Sequence, residues 1–308
     1  MSDLPTTTLG RTGAVVTKLG YGAMELRGPG GTFRSGRALD DGEIDRLLNS
    51  VLDAGINIID TSPDYGDSEE HIGRCISRRR DEYFLASKCG CPVGGPAPTG
   101  FGPREHIFTR DNIRAGVEQS LRRMRTDHLD LVQFHASPSQ ATLEDNDSIA
   151  ELHALRDEGK VRFVGMSGTL PNLTDHIAMG VFDAFQIPYS AVECEHEGAI
   201  TDAAKAGAGT IIRGGVARGL PEPPSEVPDQ YRQMFEVRRE RFDQASIADL
   251  LGEMSPMEFM LRFTISHPDL HTTIVGTSNA QHLAANIEAA RKGPLPPEVY
   301  EAARARFA

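Results

Sequence analysis

Three consecutive β-like runs of this sequence each place an ionisable side chain at, or just beyond, the residue where the run ends. Asp60 ends the first run, and Tyr65 lies in the short loop that follows it. Lys88 ends the second run, and His135 ends the third. One such residue alone is more often a helix cap or a solvated group. Because the carboxyl ends of parallel strands meet at one face of a barrel, we expect all four to converge on one site.

The four residue types together could deliver a proton to a carbonyl group. A tyrosine has a pKa of about 10, so Tyr65 would hold its proton at neutral pH, and a nearby cation such as Lys88 would stabilise its phenolate. Asp60 would keep Lys88 charged and oriented, because burying an ammonium group without a partner is costly. His135 could donate a hydrogen bond to the carbonyl oxygen of a substrate.

The elements that must position these side chains alternate along the chain. After a predicted N-terminal β-hairpin, with arms Thr6–Leu9 and Ala14–Leu19, β-like runs alternate with amphipathic helical stretches. The predicted strands are Leu19–Ala23, Ile56–Asp60, Tyr83–Lys88, Leu129–His135, Val161–Ser167, Ala184–Tyr189, Thr210–Arg213 and Thr272–Gly276. The predicted helices are Asp41–Ala54, Ser68–Arg79, Thr109–Met124, Asp145–Gly159, Pro171–Met179, Glu197–Ala206, a longer stretch within Gln230–His267, and Asn279–Arg291. Eight such units over roughly 250 residues predict a closed (β/α)₈ TIM barrel with parallel strands.

The alternative α/β fold is an open, doubly wound sheet. It is disfavoured because no G-x-G-x-x-G follows the first strand, where a dinucleotide-binding Rossmann unit would carry it. The segments rich in Gly and Pro, Cys91–Pro103 and Pro221–Pro228, lie between predicted elements and are interpreted as surface loops that wall a pocket. Residues 1–308 are therefore predicted to form a single domain.

Composition excludes several classes of protein. The chain has 308 residues, 39% hydrophobic and 25% charged, with a formal net charge of −12, which disfavours nucleic-acid and anionic-membrane partners. It contains no run of 18 apolar residues, and its N-terminus lacks signal-peptide features, so a cytoplasmic protein is expected. None of the four cysteines has zinc-ligand spacing to another Cys or to His, so reduced thiols and no metal are predicted. His106, His128, His153 and His176 are interpreted as surface or capping residues, and Cys89 and Cys91 as incidental.

One segment closely resembles the first signature of the aldo-keto reductase superfamily: Gly55, Asp60-Thr61, Tyr65-Gly66 and Glu69, at the family's spacing. The resemblance extends from Leu9 to Asn286. It implies that Tyr65 is the proton donor, that Lys88 and Asp60 tune its acidity, and that His135 orients the carbonyl. It further implies hydride transfer between a nicotinamide cofactor and a small carbonyl or alcohol substrate, in either direction and without a metal.

The same resemblance implies a set of cofactor-binding residues. Ser167 matches a contact to the nicotinamide amide, Gly168 replaces the usual Asn beside it, and Gln186 matches the Gln that holds the same amide. Arg213 falls where many members place an aromatic residue, and its planar guanidinium could stack on the nicotinamide instead, although pairing with an acid is the alternative. The residues implied at the opening of the barrel and at the pyrophosphate loop are Gly22, Ala23, Met24, Gly214, Gly215, Val216, Ala217, Gly219 and Leu220. Those implied at the adenosine phosphate are Gly276, Thr277, Ser278, His282 and Asn286.

The choice of nucleotide follows from the last group. Gly276 and His282 occupy places where many members have Lys and Arg that hold a 2′-phosphate. A helix N-terminus with Thr277 and Ser278 beside it still attracts an anion, so NADPH is predicted, with NADH as the alternative.

Two alternatives to a carbonyl reductase stay open from the sequence. Lys88 could form a Schiff base in a barrel aldolase or dehydratase, although the paired Asp60 should keep the amine charged. Potassium-channel β subunits resemble this family and act mainly as regulators, so a nucleotide-sensing subunit is the other alternative. The substrate pocket is predicted to include Met24, Tyr65 and His135, and a sugar or sugar-like carbonyl is among the expected substrates. The oligomeric state is left open.

Overall fold

The barrel of this protein is built from eight parallel strands, each paired with the next strand along the chain. The computed structural model describes residues 3–28, 39–94, 105–220 and 229–307. The barrel strands are β3 (Leu19–Gly22), β4 (Ile58–Asp60), β5 (Phe84–Cys89), β6 (Leu129–Phe134), β7 (Val161–Ser167), β8 (Ala184–Pro188), β9 (Gly209–Arg213) and β10 (Thr272–Val275). Pairing of β10 with β3 closes the ring. The predicted (β/α)₈ barrel is thereby confirmed, with strand ends displaced by one or two residues.

The predicted N-terminal hairpin is also confirmed. Strands β1 (Thr6–Thr8) and β2 (Val15–Thr17) pair antiparallel and cover the amino-terminal end of the barrel. Leu9, between them, is fully buried and packs in one apolar cluster with residues inside the barrel such as Ile58 and Ile211. The hairpin contacts the barrel so closely that a Cβ atom added at Gly10 would lie 2.3 Å from the backbone nitrogen of Gly209. This end is therefore sealed, and the site must lie at the other end.

The helices differ from the prediction in four places, one of which is Ser68–Arg79, where the α-helix ends at Cys75 and a 3-10 helix, Ser77–Glu82, follows. The α-helices are α1 (Asp41–Asp53), α2 (Ser68–Cys75), α3 (Arg110–Met124), α4 (Gln140–Asp145), α5 (Ser148–Asp157), α6 (Asn172–Met179), α7 (Glu197–Lys205), α8 (Asp229–Ala245), α9 (Ala248–Leu251), α10 (Pro256–Ile265), α11 (Ala280–Arg291) and α12 (Pro297–Phe307). The predicted helix Asp145–Gly159 begins three residues later, as α5, because Asp147 adopts a left-handed conformation that separates it from α4. The long stretch within Gln230–His267 is three helices. Ser255 starts the last of these by accepting a hydrogen bond from the backbone of Glu258, with Pro256 at the first helical position.

The C-terminal helix α12 is absent from the sequence prediction. The ring centroid of Tyr300, on this helix, lies 5.1 Å from that of Phe263 on α10. The ring centroid of Phe307 lies 6.0 Å from that of Phe263. The Tyr300 hydroxyl also lies 3.3 Å from that of Tyr189, which follows β8. The apolar residues of α12 recur at helical spacing, so one face of the helix packs on the core: Val299, Tyr300, Ala303 and Phe307.

Among the residues that the structure describes, no helix is both long and apolar enough to cross a membrane. The two predicted pocket loops lie largely outside the described residues, since 95–104 and 221–228 fall in the gaps. The cytoplasmic location stays a prediction.

We expect Leu9→Ala to lower the free energy of unfolding by about 2–5 kcal/mol, because it leaves a cavity under a hairpin that cannot collapse onto the barrel. Chemical denaturation at pH 7 measures this. Val15→Ala on the same hairpin is the control: Val15 is 60% exposed, and its loss should change stability by no more than about 0.5 kcal/mol. Equal losses of stability in the two variants would contradict the conclusion that the hairpin closes this end of the barrel.

Candidate active site

The carboxyl end of the barrel holds a buried ion pair. Lys88 Nζ lies 2.6 Å from Asp60 Oδ1 and donates a second hydrogen bond, 3.0 Å long, to the carbonyl oxygen of Thr61. The Lys88 side chain is fully buried and that of Asp60 is 3% exposed. A pair so deeply buried is stable only when its remaining polar atoms are satisfied as well.

Asp60 is held by two glutamines from other strands. Its Oδ1 atom also accepts hydrogen bonds from Gln186 Nε2 at 2.8 Å and Gln133 Nε2 at 3.0 Å. Asp60, Gln133 and Gln186 stand on β4, β6 and β8, so alternate strands supply one layer of inward-pointing side chains, as barrel geometry requires. Gln133 is a site residue that the sequence analysis missed. Its signal was a polar residue two positions before His135, on a strand face whose other residues, Leu129 and Leu131, are apolar.

Tyr65 lies above this pair. Its ring centroid is 5.7 Å from Lys88 Nζ and 5.6 Å from the guanidinium carbon of Arg27. Burial raises the pKa of the Tyr65 phenol, while the charge of Lys88 lowers it and that of Asp60 raises it again. The balance leaves the pKa above its usual value, so the phenol carries its proton at neutral pH and has a cation beside it to stabilise the phenolate.

His135 completes the predicted four residues, with its ring centroid 6.1 Å from that of Tyr65 in an edge-to-face arrangement. Burial lowers the pKa of His135, against a raising effect of Asp64, so the imidazole is neutral at pH 7. Burial alone would raise the pKa of Asp64. The hydrogen bond from His106, and then the proximity of His135, instead hold the pKa of this carboxyl far below its usual range, so it is ionised.

His106 and Cys91 also lie at this site, and the interpretation of His106 as a surface or capping residue was wrong. His106 Nε2 lies 3.0 Å from Asp64 Oδ2, and the His106 side chain is only 9% exposed. Cys91 Sγ lies 3.6 Å from His135 Nδ1. The interpretation failed because it considered spacing within the sequence, whereas the fold brings together residues from separate loops. His176 was also misplaced, since it is fully buried and donates to the carbonyl oxygen of Pro138 at 2.7 Å.

A cavity of about 710 Å³ opens beside Tyr65 and runs to the start of α11. The residues predicted from the sequence that line it are Gly22, Met24, Asp60, Tyr65, His135, Ser167, Gln186, Arg213, Gly214, Gly215, Val216, Gly219, Gly276, Thr277, His282 and Asn286. Five predicted cofactor residues lie outside its lining: Ala23, Gly168, Ala217, Leu220 and Ser278. Gly168 instead faces helix α6, because a Cβ atom added there would lie 3.2 Å from Leu173. Thr169 and Ser137 line the cavity without having been predicted.

The polar groups along the cavity differ between its two ends. Near Asp60, Ser167 Oγ donates to Gln186 Oε1 at 3.1 Å. Arg213 has no ion pair with an acid among the described residues, because the nearby carboxylate of Glu193 pairs with Arg238 at 2.7 Å. The guanidinium face of Arg213 is thus not committed to a carboxylate of the described chain.

The backbone of Gly276 lies close to that of Gly22 at the far end of the cavity. A Cβ atom at Gly276 would lie 2.7 Å from the carbonyl oxygen of Gly22, so the close approach of these two backbones leaves no space for a lysine. The first turn of α11 is partly capped, since Asn279 Oδ1 accepts from the backbone nitrogens of Gln281 and His282. His282 is exposed at this turn and lines the cavity.

A barrel with a buried Lys–Asp pair beneath a tyrosine, at the mouth of an elongated cavity, defines a class of enzyme that acts on a small molecule held next to a proton donor. The aldo/keto reductase family matches residues 18–305 of this chain, and the chain belongs to that family. It is an NAD(P)H-dependent oxidoreductase.

Individual relatives are distant in sequence, but they match this chain over nearly its whole length and most of their own. The oxidoreductase YqkF of Bacillus subtilis is 26% identical over 96% of this chain and 94% of its own. The L-galactose dehydrogenase of Arabidopsis thaliana is 25% identical over 94% of this chain and 89% of its own. Among solved structures, the holo form of the aldo-keto reductase AKR11C1 from Bacillus halodurans superimposes with a TM-score of 0.81 at 25% identity, covering 98% of this chain and 96% of that one.

We expect the two charges beneath Tyr65 to shift its pKa in opposite directions. Asp60→Asn should lower the pKa of Tyr65, because it removes the anion that raises it, and Lys88→Met should raise it further, because it removes the cation that lowers it. NMR of protein carrying ¹³Cζ-labelled tyrosine measures both, with signals assigned by Tyr→Phe substitutions.

The internal control is Tyr83, whose pKa burial raises to about 12 and whose charged neighbours are Arg80 and Asp130. Its signal should titrate unchanged in both variants. Shifts of Tyr65 in the same direction in the two variants would contradict the assigned electrostatics.

Proposed function

We propose that this enzyme reduces an aldehyde or ketone to an alcohol, with NADPH as the hydride source and Tyr65 as the general acid. The observation that carries the proposal is the fully buried Lys88–Asp60 pair beneath the Tyr65 ring at the mouth of the cavity. The reverse reaction, oxidation of an alcohol, uses the same residues. All of them stand on one barrel, which supports treating residues 1–308 as one domain.

The residues present fit a nicotinamide nucleotide. The cavity of about 710 Å³ is within the usual size range of ligand sites and has an amide and a hydroxyl, from Gln186 and Ser167, at the end near Tyr65. Arg213 has no acid partner among the described residues, so its planar face is available for stacking on a flat ring. When bound, the reduced nicotinamide supplies the hydride.

The chain's own residues move the proton. A carbonyl oxygen bound between Tyr65 and His135 would accept two hydrogen bonds, one from the phenol and one from the neutral imidazole. As negative charge develops on that oxygen, Tyr65 transfers its proton. The phenolate that remains is stabilised by Lys88, and Asp60 with its two glutamine donors fixes Lys88 in place. Burial of the pair excludes water, which strengthens these electrostatic interactions.

The alternatives have less support. Schiff-base chemistry needs a neutral amine that a substrate can reach, whereas Lys88 is fully buried and donates to both Asp60 and Thr61. A purely nucleotide-sensing role would not require a proton donor with a buried cation beneath it.

For the substrate, we propose a small hydroxylated carbonyl compound of the sugar type. The cavity near Tyr65 presents His106, Ser137 and Thr169, which can hydrogen-bond to hydroxyl groups. One of the relatives, from Arabidopsis thaliana, is named L-galactose dehydrogenase. Direct comparison of aldoses with apolar aldehydes tests this assignment.

We expect Tyr65→Phe to lower kcat for carbonyl reduction by about 100- to 10,000-fold, because general acid catalysis contributes that much. Cofactor binding, measured by fluorescence titration, should be unchanged, since the ring and its packing are kept. Tyr83→Phe, which removes a hydroxyl far from the cavity, is the matched control and should keep the wild-type rate. An unchanged rate in Tyr65→Phe would refute its role, and a wild-type enzyme inactive on all aldehydes, ketones and aldoses would refute the function.

We expect a lower Kd for NADPH than for NADH, because the start of α11 and His282 favour an additional phosphate. His282→Ala should weaken NADPH binding about two- to fivefold, the range that charge and dipole effects at a helix end allow, and leave NADH binding unchanged. Gln281→Ala, on the same exposed turn, is the control. Equal Kd values for the two nucleotides in the wild type would overturn the choice of NADPH.

A further inference from the structure

Four potential metal ligands meet at one side of the cavity. Asp64 follows β4, Cys91 follows β5, His106 precedes α3, and His135 follows β6. One donor atom from each lies within 4.8 Å of the other three. No role in the proposed proton transfer uses Asp64, Cys91 or His106, although all three side chains are largely buried.

Four of the six distances between these atoms are close to the edge lengths of a tetrahedral zinc site, and the other two are no longer than 4.8 Å. Asp64 Oδ2 lies 3.0 Å from His106 Nε2 and 3.4 Å from His135 Nδ1, and the two imidazole nitrogens are 3.4 Å apart. Cys91 Sγ lies 3.6 Å from His135 Nδ1. Tetrahedral zinc, with bonds of about 2.0–2.1 Å to N and O and about 2.3 Å to S, requires separations of about 3.3 Å between N or O ligands and about 3.6 Å from S to N.

We propose that Asp64, Cys91, His106 and His135 form a binding site for a Zn²⁺ ion. The site departs from the sequence prediction that this protein binds no metal. The donor set of one sulfur, two imidazoles and one carboxylate consists of the ligand types that zinc takes in proteins. Two positive charges on the ion are balanced by one carboxylate and one thiolate, so the occupied site is neutral and can be buried at low cost.

Without metal, the same atoms are held by hydrogen bonds, which explains why they are already close together. Zinc replaces these hydrogen bonds with coordinate bonds. The Cys91 thiol releases its proton to solvent as its sulfur becomes a ligand, and each imidazole carries its proton on the ring nitrogen that does not bind the ion. No oxidation or reduction occurs. The loops therefore need little rearrangement to accept the ion.

Binding would also fix the state of His135. Coordination through Nδ1 leaves Nε2 as the protonated nitrogen, which is the state required of a hydrogen-bond donor. The zinc site is thus placed to set the tautomer of a residue to which we assign a role in carbonyl reduction. That consequence rests on the proposed function, whereas binding of zinc does not.

The test is zinc binding to the full-length protein without substrate or nucleotide. Equilibrium dialysis against ZnCl₂, with metal measured by inductively coupled plasma mass spectrometry, should give one tightly bound equivalent. Cobalt substituted at the site should show the intense visible bands of a tetrahedral ion and a thiolate charge-transfer band, both abolished by one equivalent of zinc. Since neither experiment involves turnover, this proposal and the proposed function can fail independently.

Substitutions locate the ion. Cys91→Ser and His106→Gln should each weaken zinc binding by about a hundredfold or more, because each removes one of four ligands. Cys75→Ser and His153→Gln, which change a half-buried cysteine and histidine outside the cluster, are the matched controls and should bind zinc as the wild type does.

Circular dichroism of the metal-free variants verifies that they fold, and the cobalt spectrum of the wild type tests the site even if one variant does not. Absence of a tightly bound equivalent, a cobalt spectrum without the thiolate band, or equal binding by Cys91→Ser and Cys75→Ser would each overturn the proposal.

Discussion

The burial of one ammonium group governs the architecture of this site. Lys88 lies beneath Tyr65 with no access to water, so the chain must supply a carboxylate and a carbonyl oxygen at hydrogen-bonding distance, and it does so from Asp60 and Thr61. The carboxylate in turn requires Gln133 and Gln186 to satisfy its oxygen. Lys88 and Asp60 meet because β4 and β5 are neighbours, and Gln133 and Gln186 reach Asp60 across the closed barrel. Fold and proton delivery therefore depend on the same set of contacts.

The two ends of the cavity differ in the groups that line them. Around Tyr65, side chains are buried, charged and bonded to one another, so their positions are fixed. Toward α11, backbone and small residues dominate, with the close contact of Gly22 and Gly276 excluding a long cationic side chain. Under the proposed function, recognition of the nucleotide at that end would depend on the helix terminus and on His282, both of which contribute weak interactions.

Much of this arrangement could be predicted from the sequence, for identifiable reasons. Alternation of strands and helices predicted the barrel, and ionisable residues at strand ends predicted Asp60, Tyr65, Lys88 and His135, since both signals are local. His106 and Cys91 could not be found in this way, because only the path of separate loops brings them to His135. Helix α12 was missed although its apolar residues recur at helical spacing and pack on the core, so its signal was present in the sequence.

The polar layer shared by β4, β6 and β8 also affects which amino-acid substitutions the site tolerates. Asp60, Gln133 and Gln186 share one oxygen atom, so the effect of replacing any one of them depends on the other two. Residues at the cavity rim, such as Ser137 and Thr169, have no part in that shared contact. Replacing a rim residue therefore leaves the hydrogen bonds of the polar layer intact, whereas replacing one residue of the layer alters the contacts of the other two.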